Sequence, residues 1–259
     1  MDLAAQRELA RLLASLRQEQ RQQSGLDRRL VPPDKATAYR VAAMVADELG
    51  WPVRGWKIAA AKQEMQRQLR TDSPIYGRTY FVQATPHTVE RAKLSSPIPE
   101  VEYQARLGAD LPPRDKPYTV EEVTEAVESL HPGLELAECR FLHDDAFPPL
   151  PAILADGAGC GTIIYGPAIA DWRKRDIAGQ EVSLVINGTP RRKGTAAAFL
   201  DHPMVPLTWL ANELSRTGVG MKAGQMVSTG TLTGMLAPRA GETHVADFGP
   251  FGSVSVTFT

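Results

Sequence analysis

The chain has 259 residues, of which 43% are hydrophobic and 23% charged, so it can bury a sizeable core and is neither disordered nor a coiled coil throughout. Its 29 basic and 30 acidic residues leave a net charge of -1, which excludes a global electrostatic field for nucleic acid or an acidic membrane. We therefore expect a small, locally recognised ligand, with no nucleic-acid partner and no membrane.

Two cysteines and the first residues bear on the cellular compartment. Cys139 and Cys160 form neither a disulfide framework nor a C-x-x-C pair, so buried apolar packing is the expected role of both. The N-terminal residues lack a basic stretch followed by an apolar core, and no apolar run is long enough to span a bilayer. These features favour a cytoplasmic protein.

Two helices are predicted near the N-terminus. Asp2 and Asp34 are suitable N-caps, and each is followed by apolar residues on one helical face. The first helix is predicted to end near Ser24-Gly25 and the second at Gly50. We interpret the pair as a lid or packing subdomain that carries no chemistry.

Lys57 lies in a short predicted strand, Arg54–Ala60, among apolar neighbours. Desolvation by such neighbours would lower the pKa of the lysine and suit it to proton transfer or to binding an anionic substrate. Alternatively, its aliphatic stem lies on the core while the ammonium group reaches water. A short helix, Lys62–Leu69, and a loop, Thr71–Arg78, are predicted to follow the strand.

The character of the sequence changes near residue 85, where short β-prone runs bounded by Gly and Pro begin to dominate. We therefore predict a helical N-terminal part, residues 1–85, and a larger domain, residues 86–259. The larger domain contains two predicted helices, one running from a Thr119 cap to about Leu130 and one over Pro203–Leu214. Its predicted strands are Leu134–Ala137, Thr162–Tyr165, Val182–Ile186, Met226–Ser228 and Val254–Phe258. Asn187-Gly188 is a predicted hairpin turn that leads into a further strand, Thr189–Lys193.

Glu100 and Glu102 alternate with apolar residues in a run that is typical of a strand beginning near Ile98. Residues separated by one position in extended chain point to the same side, so the two carboxylates share a face and repel each other unless a cation or a shared proton is present. Glu135, inside the apolar run Gly133–Glu138, is the candidate third carboxylate for a hard cation such as Mg²⁺. Alternatively, Glu100 and Glu102 line the exposed face of a surface strand.

Two further segments are candidates for binding a ligand. The loop Ala155–Gly161 consists mostly of small residues, which lets its backbone approach a ligand closely, although a tight packing turn is an equal alternative. Thr229-Gly230-Thr231 follows an apolar strand and offers hydroxyls and amides to a carboxylate, although a plain turn has the same composition. The sequence signatures of phosphoryl transfer, dinucleotide binding, serine hydrolases and zinc sites are missing.

Taken in order, these segments resemble the 2-keto-4-pentenoate hydratase and 4-oxalocrotonate decarboxylase branch of the fumarylacetoacetate hydrolase superfamily. The resemblance is carried by Gly55-Trp56-Lys57-Ile58, Asp72–Gly77, Glu100-Val101-Glu102, Leu134-Glu135, Ala155-Asp156, Asp201-His202-Pro203 and Gly224–Thr231. It implies an α+β fold in which a small N-terminal helical part lies on a mixed, largely β C-terminal domain. It also implies a homo-oligomer.

The resemblance further implies the site and the reaction. The implied metal ligands for Mg²⁺ or Mn²⁺ are Glu100, Glu102 and Glu135, the implied catalytic residue is Lys57, and the implied substrate-binding residues are Asp156, Gly230 and Thr231. The implied substrate is a 2-oxo acid or its dienol, such as 2-hydroxypenta-2,4-dienoate. The implied enzyme is a metal-dependent lyase that adds water after ketonisation of this dienol.

Three alternatives to a hydratase stay open. Hydratases of this branch carry an acid where this chain has Ile75, and Asn and Ser where it has Gly157 and Gly159. A decarboxylase of the 4-oxalocrotonate type or a keto-enol tautomerase would use the same metal and lysine with less need of a group that activates water. A non-catalytic homologue that binds 2-oxo acids is the alternative from another class.

Overall fold

Two mixed β-sheets and seven α-helices make up the fold in a computed structural model that describes every residue from Met1 to Thr259. The helices are α1 (Leu3–Gln18), α2 (Lys35–Leu49), α3 (Gln63–Gln68), α4 (Val120–Ala126), α5 (Leu150–Ala155), α6 (Ala196–Phe199) and α7 (Met204–Arg216). The strands are β1 (Gly55–Ala59), β2 (Ile75–Thr79), β3 (Phe81–Ala84), β4 (His87–Val89), β5 (Ile98–Leu107), β6 (Val127–Ala137), β7 (Thr162–Tyr165), β8 (Val182–Ile186), β9 (Thr189–Gly194), β10 (Met226–Ser228), β11 (Thr243–Asp247) and β12 (Ser253–Phe258). The predicted α+β class is confirmed.

The strand order of the larger sheet determines which segments of the chain meet. This sheet holds seven strands in the order β2-β1-β10-β5-β6-β7-β3, and the smaller sheet holds five in the order β4-β12-β11-β8-β9. β5 pairs antiparallel with β6 on one side and with β10 on the other, and β10 pairs parallel with β1. Residues from four distant parts of the chain therefore line one continuous stretch of sheet.

Two apolar clusters form the core. The larger one joins side chains of both sheets with those of α7, and in it the rings of Tyr103 and Phe248 meet edge to face at 5.0 Å. The smaller one lies against α1, α2 and α5 and includes Leu9, Leu13 and Phe141. The N-terminal helices are thus fixed by a core of their own, because their apolar faces are buried there.

The capping residues predicted for the first two helices are confirmed. Asp2 Oδ1 accepts a hydrogen bond from the Ala5 amide at 2.8 Å, and Asp34 Oδ1 accepts one from the Thr37 amide at 2.7 Å. α2 ends at Gly50, whose φ of 61° is the left-handed conformation usual after a helix. The predicted end of the first helix was wrong, since α1 stops at Gln18.

The prediction of a helix from Thr119 to about Leu130 was only half right. The capping box formed by Thr119 and Glu122 is present, but α4 ends at Ala126 and the chain continues directly into β6. β6 pairs with β5 along almost its whole length, and its apolar residues Leu130, Leu134 and Leu136 are buried. Pairing with a long central strand outweighed the helical pattern, a tertiary effect that local propensity does not contain.

The predicted helix over Pro203–Leu214 is confirmed as α7, and Asn187-Gly188 forms the predicted hairpin turn with positive φ at both residues. The predicted loop Thr71–Arg78 was wrong in its second half, which forms the edge strand β2. The elements not predicted are α5, α6, β3, β4 and β11.

The sheet takes strands from both sides of residue 85, because β1 and β3 precede this residue and pair with β10 and β7, which follow it. The predicted division of the chain at this residue therefore does not coincide with a division of the sheet. None of the helices combines the length and the apolar character needed to cross a membrane.

Candidate metal centre

Three buried carboxylates meet at the centre of the larger sheet. Glu100 and Glu102 lie on one face of β5, and Glu100 is directly opposite Glu135 of β6 in the antiparallel register. Opposite residues of paired strands point to the same face, so all three side chains converge. One oxygen from each lies within 4.8 Å of the others.

Burial excludes the alternative that these acids line a surface strand. The exposed fraction is 6% for Glu100, 1% for Glu102 and 0% for Glu135. The structure thus brings the three predicted acids together in the interior, while their role as metal ligands stays a prediction.

Lys57 reaches the same cluster from β1. Its Nζ lies 3.2 Å from Glu135 Oε2 and 3.7 Å from Glu100 Oε2. The side chain is almost completely buried, which excludes the alternative of an ammonium group in contact with bulk water. Its position follows from the strand order, because β10 alone separates β1 from β5.

The predicted direction of the pKa shift of Lys57 was wrong. Burial does lower the pKa of this ammonium, but the carboxylates of Glu135 and then Glu100 outweigh the burial and raise the pKa above its ordinary value. The lysine is therefore held in its charged form in the metal-free protein. Sequence could not give the sign, because the acids come from other strands.

Burial has the opposite consequence for the acids. It is the largest influence on Glu100 and raises the pKa of this carboxyl to about 7 against the attraction of Lys57. The pKa of Glu102 is raised well above its usual range, first by burial and then by the charges of Glu135 and Glu100. Assembling the three acids in one place is thus unfavourable without further positive charge.

The two carboxylate oxygens of Glu135 are buried and unpartnered, which bears on whether the cluster suits a cation. Neither oxygen has a hydrogen-bond partner, and Lys57 contacts Glu135 as an ion pair only. When all three carboxylates are ionised, they and the ammonium group together carry a net charge of -2. One divalent cation balances this charge. Oxygens on opposite sides of a Mg²⁺ or Ca²⁺ ion lie about 4–5 Å apart, so the spacing fits such an ion. The donor set and its geometry therefore suit a hard divalent metal.

Glu102 differs from the other two acids in having hydrogen-bond donors. Its Oε2 accepts a bond from Ser228 Oγ at 2.5 Å and one from the Gly230 amide at 2.7 Å. Gly230 has φ of 115°, a conformation that disfavours any residue with a side chain. Gly230, predicted to bind substrate, thus supports a metal-ligand candidate through its amide. The half-buried Thr231 has its hydroxyl within 3.4 Å of the Gly234 carbonyl.

Asp156 lies in a different setting from the one expected. Its carboxylate is fully buried and accepts bonds from the Nε of Arg140 at 2.9 Å and from the Arg140 amide at 3.0 Å. Arg17 of α1 lies 3.6 Å from the same carboxylate. The substrate-binding role of Asp156 stays a prediction, and its observed contacts are those of a residue that fixes the loop Ala155–Gly161.

Four residues of this region were not singled out from the sequence. Gln104 continues the alternating face of Glu100 and Glu102, so period two alone would have pointed to it. Ser228 is the last residue of the predicted strand Met226–Ser228, and only the turn that follows this strand was predicted to bind a ligand. The arginines of the Asp156 network, Arg17 and Arg140, left no local signal, because their partner is remote in sequence.

The fold and the site together define a class of protein, an α+β protein with a buried centre of three carboxylates and one lysine on its larger sheet. The family described as fumarylacetoacetate (FAA) hydrolase C-terminal matches residues 55–259, and this chain belongs to that family. The matched part begins at the first strand of the sheet.

Among its relatives is the 2-keto-4-pentenoate hydratase of Paraburkholderia xenovorans (strain LB400), which is 31% identical over 81% of this chain and 77% of its own length. The 4-oxalocrotonate decarboxylase of Pseudomonas putida is 27% identical over 82% of this chain and 80% of its own length. A solved structure of 4-oxalocrotonate decarboxylase from Pseudomonas putida G7, complexed with magnesium and adipate, has a TM-score of 0.90 at 23% identity and covers 100% of this chain and 99% of that one.

Proposed function

We propose that this protein is a divalent-metal-dependent lyase for 2-oxo acids and their dienols, with hydration of a 2-hydroxydienoate such as 2-hydroxypenta-2,4-dienoate as its principal reaction. The observation that supports the proposal is the buried cluster of Glu100, Glu102 and Glu135 with the Lys57 ammonium 3.2 Å from one of its oxygens. The activity of the hydratase relative, which is 31% identical to this chain, supports the choice of substrate class.

The three glutamates would hold Mg²⁺ or Mn²⁺, and such an ion supplies Lewis-acid stabilisation of negative charge on the 2-oxygen of the substrate. Lys57 contributes a buried, protonated Nζ that can donate a proton or hold the substrate carboxylate. In the ketonisation, the 2-hydroxyl loses its proton and C5 gains one, which leaves an alkene between C3 and C4 conjugated with the new carbonyl. Water then adds its hydroxyl to C4 and a proton to C3.

Decarboxylation is the second candidate, and three positions at which hydratases of this branch carry polar side chains favour it. Ile75, buried at 4% exposure, belongs to the smaller apolar cluster, and Gly157 and Gly159 bring no side chain. These positions therefore provide no acid, amide or hydroxyl side chain to orient a water molecule. Loss of CO₂ from a 2-oxo acid needs stabilised negative charge and a proton donor, and it needs no activated water. The decarboxylase relative is 27% identical.

The experiment is an assay of the purified, Mg²⁺-loaded protein on a panel of 2-oxo acids and 2-hydroxydienoates. Hydration removes the dienol absorbance and incorporates ¹⁸O from labelled water, whereas decarboxylation releases CO₂. Lys57→Met is expected to lower kcat by at least about 100-fold, the usual size of a lost proton-transfer group. Lys222→Met is the matched control, because that lysine is exposed and pairs with Asp110. Tight binding of oxalate without turnover of any substrate would contradict the proposal and favour a binding protein.

A further inference from the structure

We propose that Gln104 and Ser228 are positioning residues for Glu102. They form a directed chain of hydrogen bonds, from Gln104 to Ser228 and from Ser228 to Glu102, that fixes the carboxylate in the orientation required by the cation. This inference rests on the metal site of the proposed function. It assigns no chemistry to either residue and concerns how one ligand is held.

The chain of contacts is short and completely buried. Gln104 Nε2 donates to Ser228 Oγ at 2.9 Å, and Ser228 Oγ donates to Glu102 Oε2 at 2.5 Å. Gln104 and Ser228 have an exposed fraction of 0%. The two residues face each other in the register of β5 and β10, so the backbone brings them together before any side chain adjusts.

The direction of the chain follows from the number of protons available. A serine hydroxyl has one proton, and Glu102 can only accept in the ionised form that would bind a cation, so in that form Ser228 donates to Glu102 and must accept from Gln104. With the opposite orientation of the Gln104 amide, Ser228 would face a carbonyl and a carboxylate with a single proton. That orientation would also leave both amide protons buried and unpaired, whereas in the structure one of them is bonded to Ser228 and the carbonyl oxygen is unpaired.

The result is that the two oxygens of Glu102 are unequal. Oε2 receives two protein donors, the Ser228 hydroxyl and the Gly230 amide, while Oε1 receives none. The carboxylate is thus fixed by one oxygen, and the other is left for an external partner. Supporting hydrogen bonds of this kind orient metal ligands in many proteins.

Gly133 provides the space that Gln104 needs. It lies opposite Glu102 in the register of β5 and β6. A Cβ at this position would lie 2.2 Å from Gln104 Cγ and 2.8 Å from Gln104 Nε2, so any side chain would displace the glutamine. The absence of a side chain at Gly133 on β6 therefore permits the hydrogen bond from Gln104 on β5 to Ser228.

The test is the Mn²⁺ affinity of the full chain, stripped of metal and measured by calorimetry. Ser228→Ala is expected to weaken binding by about 10- to 100-fold, the usual effect of losing a supporting contact to a metal ligand. Gln104→Leu is expected to weaken it in the same direction. Because Gln104 acts only through Ser228, the double variant is expected to bind no more weakly than Ser228→Ala. Ser228→Thr keeps the hydroxyl and is expected to retain the affinity.

Two controls separate positioning from general damage. Ser215→Ala also removes a hydroxyl of low exposure, but one that contacts only the backbone of Arg114, and its Mn²⁺ affinity is expected to be unchanged. If the wild type binds Mn²⁺ and Ser228→Ala binds it equally tightly, the inference is wrong while the proposed function stands. If Ser228→Thr fails to restore affinity, the hydroxyl is not the operative group and the inference is again wrong. A wild type that binds no Mn²⁺ overturns the proposed function and this inference with it.

Discussion

Glu135 is fully buried, and the ammonium of Lys57 is its only charged partner of opposite sign. A buried carboxylate without hydrogen bonds is unfavourable, and one ammonium shared with Glu100 compensates only part of the charge. The metal-free centre is therefore a set of residues whose electrostatics improve when a cation binds. The same residues would be hard to explain as a contribution to stability.

Replacement of Glu102 by Gln tests the centre at the scale of one residue. The amide oxygen can still accept from Ser228 and Gly230, so the fold is expected to stay intact, and the loss of one negative charge relieves repulsion. Mn²⁺ affinity is expected to fall by at least about 100-fold, since a charged ligand is lost. Calorimetry measures the affinity, and circular dichroism checks the fold.

Glu181→Gln is the control for this substitution, because Glu181 is exposed and pairs with Lys193 away from the cluster. It is expected to bind Mn²⁺ as the wild type does. An unchanged Mn²⁺ affinity in Glu102→Gln would remove Glu102 from the set of ligands.

At the scale of the elements, α1 is fastened to the loop Ala155–Gly161 by one side chain. Arg17 of α1 donates to the carbonyl of Asp156 at 2.5 Å and to that of Cys160 at 3.3 Å. The loop in turn packs against β2, where a Cβ at Gly77 would lie 1.9 Å from the Gly157 carbonyl oxygen. Gly77 is paired with Lys57, so the helical part supports the strands that carry the site.

Arg17→Ala is expected to lower the free energy of unfolding by about 3 kcal/mol, because it removes the side-chain donor of the Asp156 carbonyl and breaks a buried ion-pair network. Chemical denaturation measures this loss. Arg11→Ala is the control from the same helix, because Arg11 is largely exposed, and it is expected to cost less than about 0.5 kcal/mol. Equal losses in the two variants would show that Arg17 does not fasten the loop.

Prediction from sequence succeeded for elements whose boundaries are local. The caps of α1, α2 and α4 were recognised because the capping side chain lies within three residues of the amide that it accepts from. It failed where a remote partner decides the conformation. β6 is a strand because β5 lies beside it, and β2 is a strand because β1 does.

At the scale of the whole molecule, the proposed metal binding is linked to folding, because the folded chain alone assembles the three acids. Saturation with Mg²⁺ at about 100 times its Kd is expected to stabilise the protein by about 2.7 kcal/mol, or roughly 5–10 °C in Tm. Thermal unfolding with and without Mg²⁺ measures this shift. Glu102→Gln is expected to show little of it.

The rise in Tm caused by Mg²⁺ is also expected to depend on pH. In the metal-free protein the pKa of Glu100 is raised from its ordinary value to about 7, so the folded state binds a proton more tightly than the unfolded state does. The stability associated with that proton is present at low pH and is lost as the pH rises through about 7. A cation displaces the proton, so the Mg²⁺-induced rise in Tm is expected to be larger at pH 8 than at pH 6. A larger rise at pH 6 would contradict this linkage.

The sequence by itself determined the local features of this protein, which are the helix caps, the hairpin turn and the shared face of Glu100 and Glu102. These depend on contacts within a few residues or on the geometry of one extended chain. Only the tertiary structure decided that Glu135 stands opposite Glu100, that the Lys57 ammonium keeps its charge, and that Gln104 reaches Glu102 through Ser228. Each of these depends on strand order and register, which bring together residues far apart in the chain.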